Sequence, residues 1–197
     1  MSEVIANLTI TLDGCATGEG QSAEQPFGSI AAEHLHAWMF DHRDENVEEI
    51  AAIDAAGAYV MGRNMFGPDR GEWDLDWHGW WGPNPPFHAP VFVLGHRPRV
   101  SVEMEGGTTY HFVTDGIEAA LEQAREAAGD EDVLIHGGPA TTNQYLAAGL
   151  VDELRLAVVP FVAGAGERLF DPSTAGVELT PVSSRTTPHV THLVYRR

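Results

Sequence analysis

The sequence predicts an α/β fold in which a mixed, mostly parallel central sheet is flanked by helices in three layers. Three observations carry this prediction. Short apolar runs alternate with segments of helical periodicity, two of those runs end in a glycine corner, and the last two follow one another with no helix between them. Alternating strands and helices favour parallel pairing through right-handed crossovers, whereas consecutive strands favour antiparallel pairing.

In chain order, Val4 to Leu12 is apolar and β-branched without clean alternation, the pattern of a strand buried on both faces. Asp13 to Gly28 concentrates Gly, Ser, Thr, Glu and Gln and predicts a flexible loop over the end of that strand. Ala32 to Phe40 and Val47 to Ala56 carry apolar residues at helical spacing, separated by Asp44 to Asn46. Ala58 to Met61 and Val91 to Leu94 are short apolar strands. Between them Trp73, Trp77, Trp80 and Trp81 lie in a segment too rich in proline for a regular element. Gly106-Gly107 predicts a turn before a strand over Thr108 to Val113, and Asp115 with Glu118 predicts a capping box for a helix to about Ala128. Strand Val133 to His136, helix Ala140 to Ala148 and strand Glu153 to Pro160 form a βαβ run. Val177 to Ser184 and Val190 to Arg196 then predict an antiparallel pair.

The 197 residues suffice for one core, and a single domain over 1–197 is expected. A formal net charge of −18 repels nucleic acid and anionic membranes, so neither is an expected partner. One cysteine, Cys15, excludes an internal disulfide. With no basic-then-apolar leader and no apolar run near the roughly 20 residues needed to span a bilayer, a soluble, cytoplasmic protein is expected.

In so acidic a chain an anionic ligand must be met by local cations and backbone N–H groups. Gly137 and Gly138 close a strand and open a helix, a corner that admits a phosphate to the backbone and to the positive end of the helix dipole. Gly62-Arg63-Asn64-Met65 closes another strand with a glycine and a cation, and His96, Arg97 and Arg99 follow a third. Two such corners suit one extended dinucleotide, its pyrophosphate on backbone N–H groups and a 2′-phosphate on an arginine such as Arg63. The plain alternative is a pair of glycines that make corners and an ordinary surface arginine.

Asp13-Gly14 after the first strand, Val60 to Phe66 after the second, Val93 to Pro98 after the third and Gly137-Gly138 before a late helix together resemble the dihydrofolate reductase-like family. More narrowly, Gln144 to Leu154, Val159-Pro160 and Gly164 to Phe170 are similar to the branch that includes the reductase domain of bacterial riboflavin biosynthesis. The resemblance covers nearly the whole chain. It implies NADPH bound across the strand ends and a homodimer formed through the late strands. By motif position, it implies that Gly62, Arg63, Asn64 and Met65 hold the adenosine phosphate and pyrophosphate. His96 and Arg97 fall near the 2′-phosphate and adenine. Gly137, Gly138, Pro139, Ala140 and Thr141 supply the second phosphate turn. Ala6, Asn7 and Leu12 to Gly14 fall beside the nicotinamide. The chain departs from true dihydrofolate reductases on the first helix, where their pterin-binding carboxylate falls near Leu35 and Glu33 is offset. The implied activity is hydride transfer to another small heterocyclic, carbonyl or imine compound, such as a riboflavin precursor. A true dihydrofolate reductase and a non-catalytic nucleotide-binding protein are the alternatives.

Hydride transfer needs no protein nucleophile, only orientation, exclusion of water and sometimes a proton. Asp13, at the end of a buried strand, is the candidate proton donor, although Asp-Gly there also makes ordinary turns. No metal site is expected. His34 and His36 diverge by about 200° on a helix and His189 and His192 face opposite sides of a strand, which leaves only a distant pair such as His78 and His88. Cys15 has no activating base nearby in sequence, and the four clustered tryptophans suit packing or an interface better than catalysis.

Overall fold

The computed structural model describes residues 2–68 and 70–197. Strand β1 (Val4–Thr11) and the short β2 (Cys15–Thr17) precede α1 (Ala32–Phe40), a 3-10 turn at Arg43–Glu45, and α2 (Val47–Ile53). Strand β3 (Ala58–Gly62) turns directly into the single-turn helix α3 (Arg63–Phe66). Then come β4 (Pro90–Leu94), β5 (Val102–Glu103), β6 (Thr109–Val113), α4 (Ile117–Ala128), β7 (Val133–Gly137) and α5 (Pro139–Ala147). The chain ends with β8 (Glu153–Val159), β9 (Glu167–Arg168), β10 (Thr180–Thr186) and β11 (Thr191–Arg196).

Among the described residues, nine strands make one sheet in the order β10-β11-β8-β1-β7-β3-β4-β6-β5. β8, β1, β7, β3, β4 and β6 run parallel, and β11 and β5 join antiparallel to β8 and β6. The predicted mixed, mostly parallel sheet is therefore present, with Thr11, Gly62, Leu94, Val113, Gly137 and Val159 ending strands along one edge.

Alternation along the strands divides the core into two layers. Val4, Ala6, Leu8 and Ile10 of β1 face one side with Val60, Val133 and Ile135. There α4 buries Ala120, Leu121, Ala124 and Ala128 and α5 buries Tyr145 and Leu146. Ile5 of β1 faces the other side with Tyr59, Met61 and Leu134, beneath Leu35 and Trp38 of α1 and Ile50 and Ile53 of α2. Each such large apolar side chain contributes about 1.5–3 kcal/mol on burial.

This division creates the crevice. From β1 the chain crosses one face through α1 and α2 to β3, and it returns over the other face through α4 and α5, which lead into and out of β7. Neighbouring strands β1 and β7 thus send their following helices to opposite faces. A parallel sheet opens for ligands at the carboxyl ends of such a pair.

Some local expectations change. The Asp13 to Gly28 segment includes β2, paired with β9. Helix α4 is entered through Gly116 at φ +91° with no side-chain cap, so the capping box built on Asp115 does not form. α2 stops at Ile53, and the penultimate strand begins at Thr180 because Leu179 and Val177 belong to the approach from a 3-10 turn at Pro172–Thr174.

Candidate active site

The two glycine corners adjoin. β3 and β7 are neighbours, with Met61 opposite Gly137. A Cβ built on Gly62 would overlap Thr141 Oγ1 of α5 and stand 3.8 Å from the Gly137 carbonyl oxygen, so only glycine lets the corners meet this closely. Gly137 holds φ +107°, a conformation that favours glycine, and a Cβ there would lie 3.5 Å from Met65 Sδ. The Gly137-Gly138 peptide is cis. Gly138 caps α5 with Pro139 following, and the space where its Cβ would stand has no atom within 4 Å. Pro139 and Thr141 are buried and Ala140 is exposed at this helix start. The first N–H groups of such a helix have no intrahelical acceptor and face outward.

The third strand end closes on the same place. Gly95, after β4, would carry its Cβ 4.0 Å from Arg63 Cβ and 3.6 Å from the Trp73 ring. Arg63 lies over Trp73 at 3.9 Å and donates to the Glu72 carbonyl oxygen at 3.1 Å. Arg97 pairs with the Glu72 carboxylate, and its carbonyl oxygen accepts from Trp73 Nε1 at 3.0 Å. His96 is exposed beside it, while Asn64 is half-buried with its carbonyl oxygen accepting from Gln21 Nε2. Arg99 donates to the Asp74, Leu75 and Trp77 carbonyl oxygens. Burial against Phe66, Trp73 and Phe112 lowers its pKa, with nearby Arg63 adding to the effect. The tryptophans thus pack: Trp73 over Arg63, Trp77 bonded through Nε1 to the Phe66 carbonyl oxygen, Trp80 edge-on to Trp77, and Trp81 against Phe87.

Three expected roles need correction. Asp13 is engaged as a hydrogen-bond acceptor at the turn after β1. It accepts from Thr11 Oγ1 at 2.6 Å and from the backbone N–H groups of Ala163 and Gly164 at 3.0 and 2.8 Å, with Arg168 3.5 Å away. These bonds, led by Thr11, hold its pKa far below the usual carboxylate range, so it stays ionised and ties the end of β1 to the loop after β8. Gly14 makes the turn at φ +83°, its N–H on the Thr11 carbonyl oxygen. Ala6 and Asn7 do not border the crevice. Ala6 is fully buried in the layer under α4 and α5, and Asn7 lines a separate groove with Trp38, Glu49, Glu153, Arg155 and His192.

Of the histidines, His88 bonds through Nδ1 to the Gly106 carbonyl oxygen. Ligand atoms of His42, Glu45 and His189 lie within 4.8 Å of one another, a grouping that sequence spacing did not suggest. The two imidazoles stack at 3.5 Å and 8°, so their lone pairs lie in separate, nearly parallel planes and converge on one ion only if a ring turns.

Two residues at the crevice were missed from sequence. His36 is on α1, one position beyond the fully buried Leu35, and His136 is the residue before Gly137 on β7. Each residue is only partly exposed, and each Nδ1 is buried without a hydrogen-bond partner. Burial pushes both pKa values down to about 4, and His36 adds to the shift of His136. Both are neutral at pH 7. The displaced-carboxylate expectation holds in geometry, since Glu33 is exposed and Leu35 is core.

The model of the RibD C-terminal domain family matches residues 2–193. The uncharacterized protein YyaP of Bacillus subtilis is 32% identical over 193 residues, covering 98% of this chain and 93% of that protein. Among solved structures, a putative riboflavin biosynthesis protein from Shewanella sp. PV-4 superposes with a TM-score of 0.66 at 21% identity, covering 99% of this chain and 98% of that one. A dihydrofolate reductase from Enterococcus faecalis complexed with NADP(H) superposes with a TM-score of 0.58 at 13% identity, covering 99% and 96%. A bifunctional deaminase/5-amino-6-(5-phosphoribosylamino)uracil reductase from Thermotoga maritima gives 0.60 at 11% identity, and this chain spans 56% of its length. The chain belongs to the RibD C-terminal domain family. Its fold is dihydrofolate reductase-like. No helix among the described residues is long and apolar enough to cross a membrane.

Proposed function

We propose that this member of the RibD C-terminal domain family is an NADPH-dependent reductase that transfers hydride to a small heterocyclic, carbonyl or imine substrate, with a riboflavin precursor as the leading candidate. The observation that carries the reading is the contact between the Gly62 and Gly137 corners at the carboxyl ends of adjacent strands, beside the crevice where α1 and α5 diverge. A single dinucleotide can reach both.

The residues present fit that cofactor. Open space in front of Gly138 and the outward N–H groups of α5 suit a pyrophosphate, and Arg63, His96 and Arg97 stand one and two strands away for the 2′-phosphate and adenine. Bound NADPH would supply the hydride. The chain's own part is to orient, exclude water and bind the acceptor. With Asp13 held ionised, the proton that completes reduction comes from water or the substrate. Leu35 in place of a pocket carboxylate argues against dihydrofolate as the natural acceptor, because nothing on α1 would balance a protonated pterin. The proposal includes a homodimer through the late strands. β10 is exposed at every residue and ends the sheet, which leaves an edge for pairing; light scattering tests it.

Calorimetry with NADPH and NADH tests the cofactor. Arg63→Ala should weaken NADPH about tenfold or more and NADH much less, since a charge-assisted bond to the extra phosphate is worth about 1.5–3 kcal/mol. A wild-type chain that binds neither nucleotide removes the proposal.

A further inference from the structure

We propose that His42, Glu45 and His189 form a binding site for one divalent transition-metal ion such as zinc, which clasps the turn between β10 and β11 to the connection between α1 and α2. The site shares no residue with the crevice and stands whether or not the chain is a reductase.

Local geometry brings the three ligands together. His42 caps the 3-10 turn Arg43–Glu45 and Glu45 closes it, and in such a turn side chains three positions apart eclipse one another. His189 arrives from the turn after β10, which the Thr187 N–H closes on the Val190 carbonyl oxygen at 2.9 Å. The ligand atoms of all three then lie within 4.8 Å of one another. At zinc bond lengths of about 2.0–2.1 Å, tetrahedral ligand atoms stand about 3.3 Å apart, so no pair has to close by more than about 1.5 Å.

The backbones that carry the two imidazoles are fixed by other residues. Asn46, fully buried beside Glu45, donates through Nδ2 to the Trp38 and His42 carbonyl oxygens at 3.0 and 2.9 Å. Its Oδ1 accepts from His192 Nε2 of β11 at 2.8 Å and from Arg185 Nη2 of β10 at 3.3 Å. Arg185 also grips the Glu49 carboxylate of α2 at 2.6 Å. Such a frame sets the ligands in place before an ion arrives. The rings themselves can turn. Both histidines are half-buried and Glu45 is exposed, and among the described residues His42 and His189 make their hydrogen bonds through backbone atoms alone. Rotation of one stacked ring about its Cβ–Cγ bond swings a lone pair toward the ion and leaves the backbone where it is.

The donor set selects the ion. Two imidazole nitrogens with one carboxylate suit zinc, nickel or copper, whereas magnesium and calcium take oxygen ligands. Three protein ligands leave the remaining position to water. The neighbourhood also draws cations, since Asp41, Asp44, Glu45 and Glu48 lie in this stretch against the single arginine Arg43.

The test uses the full chain without a histidine tag, stripped by chelator and titrated with zinc or magnesium in a calorimeter. Wild type should take up one zinc ion per chain, about a hundredfold or more tighter than magnesium. At free zinc of about 100 times Kd, Tm should rise by about 5–10 °C. His42→Ala and His189→Ala should each weaken zinc about tenfold or more and abolish most of that rise, while exposed His78, changed to alanine, should leave zinc binding as in wild type. In wild type the imidazole resonances of His42 and His189 should shift together on adding zinc, a reading that needs no variant to fold. A wild type that takes up no zinc or binds magnesium as tightly overturns the proposal. So do His42 and His189 variants that keep full zinc affinity, or zinc that moves other histidine resonances and leaves these two in place.

Discussion

Gly138→Ala separates a corner glycine that shapes the fold from one that makes room for a ligand. In the protein alone the added methyl group meets nothing within 4 Å, and Gly138 has φ −66° and ψ −171°, open to any L-residue. Two small terms then oppose one another: a gain of about 0.4–1 kcal/mol from a less flexible unfolded chain, and a loss of similar size because alanine is a poor helix N-cap. Stability should change by less than about 1 kcal/mol, a shift of at most a few degrees in Tm for a domain of this size. With a pyrophosphate at the corner, the methyl group stands between phosphate and backbone. Losing one charge-assisted hydrogen bond costs about 1.5–3 kcal/mol, or roughly 10- to 150-fold in Kd. Thermal melting and NADPH calorimetry on the same preparation read both quantities. A variant that melts like wild type and binds NADPH within twofold of it refutes the placement of the phosphate at this corner.

Two further outcomes follow from the charges around the crevice. Asp13→Asn removes an acceptor that two backbone N–H groups and Thr11 share, so Tm should fall by several degrees at neutral pH while hydride transfer, once a substrate is found, persists. Because the folded pKa is depressed, the stabilisation by Asp13 is full above its unfolded value of about 4 and fades as pH falls below that; the Asn variant should lose this part of the acid dependence, and an unchanged Tm profile would contradict the clamp. Glu72→Gln frees Arg97 from an exposed ion pair worth about 0–1 kcal/mol. NADPH should then bind up to about fivefold more tightly at low salt, with the gain shrinking as salt is added, and weaker binding would mean that Glu72 supports the cofactor instead of competing with it.

What the sequence disclosed and what it withheld have physical causes. Helix α4 was legible because its apolar residues repeat on one stripe, and the corners were legible because glycine marks a backbone demand wherever it falls. The nicotinamide-side assignment to Ala6 and Asn7 failed because β1 is buried on both faces. An apolar strand without alternation carries no phase, so position along it cannot be fixed from the residues alone. Asp13 reads the same from sequence whether it faces solvent or is clamped; the clamp is supplied by Ala163 and Gly164, 150 and 151 residues later. His36 was missed by one position, a step of about 100° on a helix, which separates core Leu35 from a ring at the crevice. The one available signal was a histidine directly after a core leucine on α1 together with a histidine where a buried strand meets Gly-Gly.

The overall charge of −18 sharpens the electrostatic argument for the site. All eleven basic residues are arginines. Arg155, Arg185 and Arg196 are engaged with carboxylates elsewhere on the surface, whereas Arg63, Arg99 and Arg97, the last paired with Glu72, gather at the ends of β3 and β4. At physiological salt, charges beyond about 8 Å are largely screened, so a bound dinucleotide experiences this cluster more strongly than the distant acidic surface. Arg63 and Arg99 are also held against aromatic rings, with their planar forks partly stripped of water and oriented by backbone carbonyls. A guanidinium ordered in this way loses less freedom when it takes a phosphate than a mobile surface cation does. The acidic background meanwhile disfavours polyanions too large to enter the crevice. A charge balance that repels large polyanions is thus compatible with a small, multiply phosphorylated cofactor, provided its phosphates reach the arginines between the two strand ends.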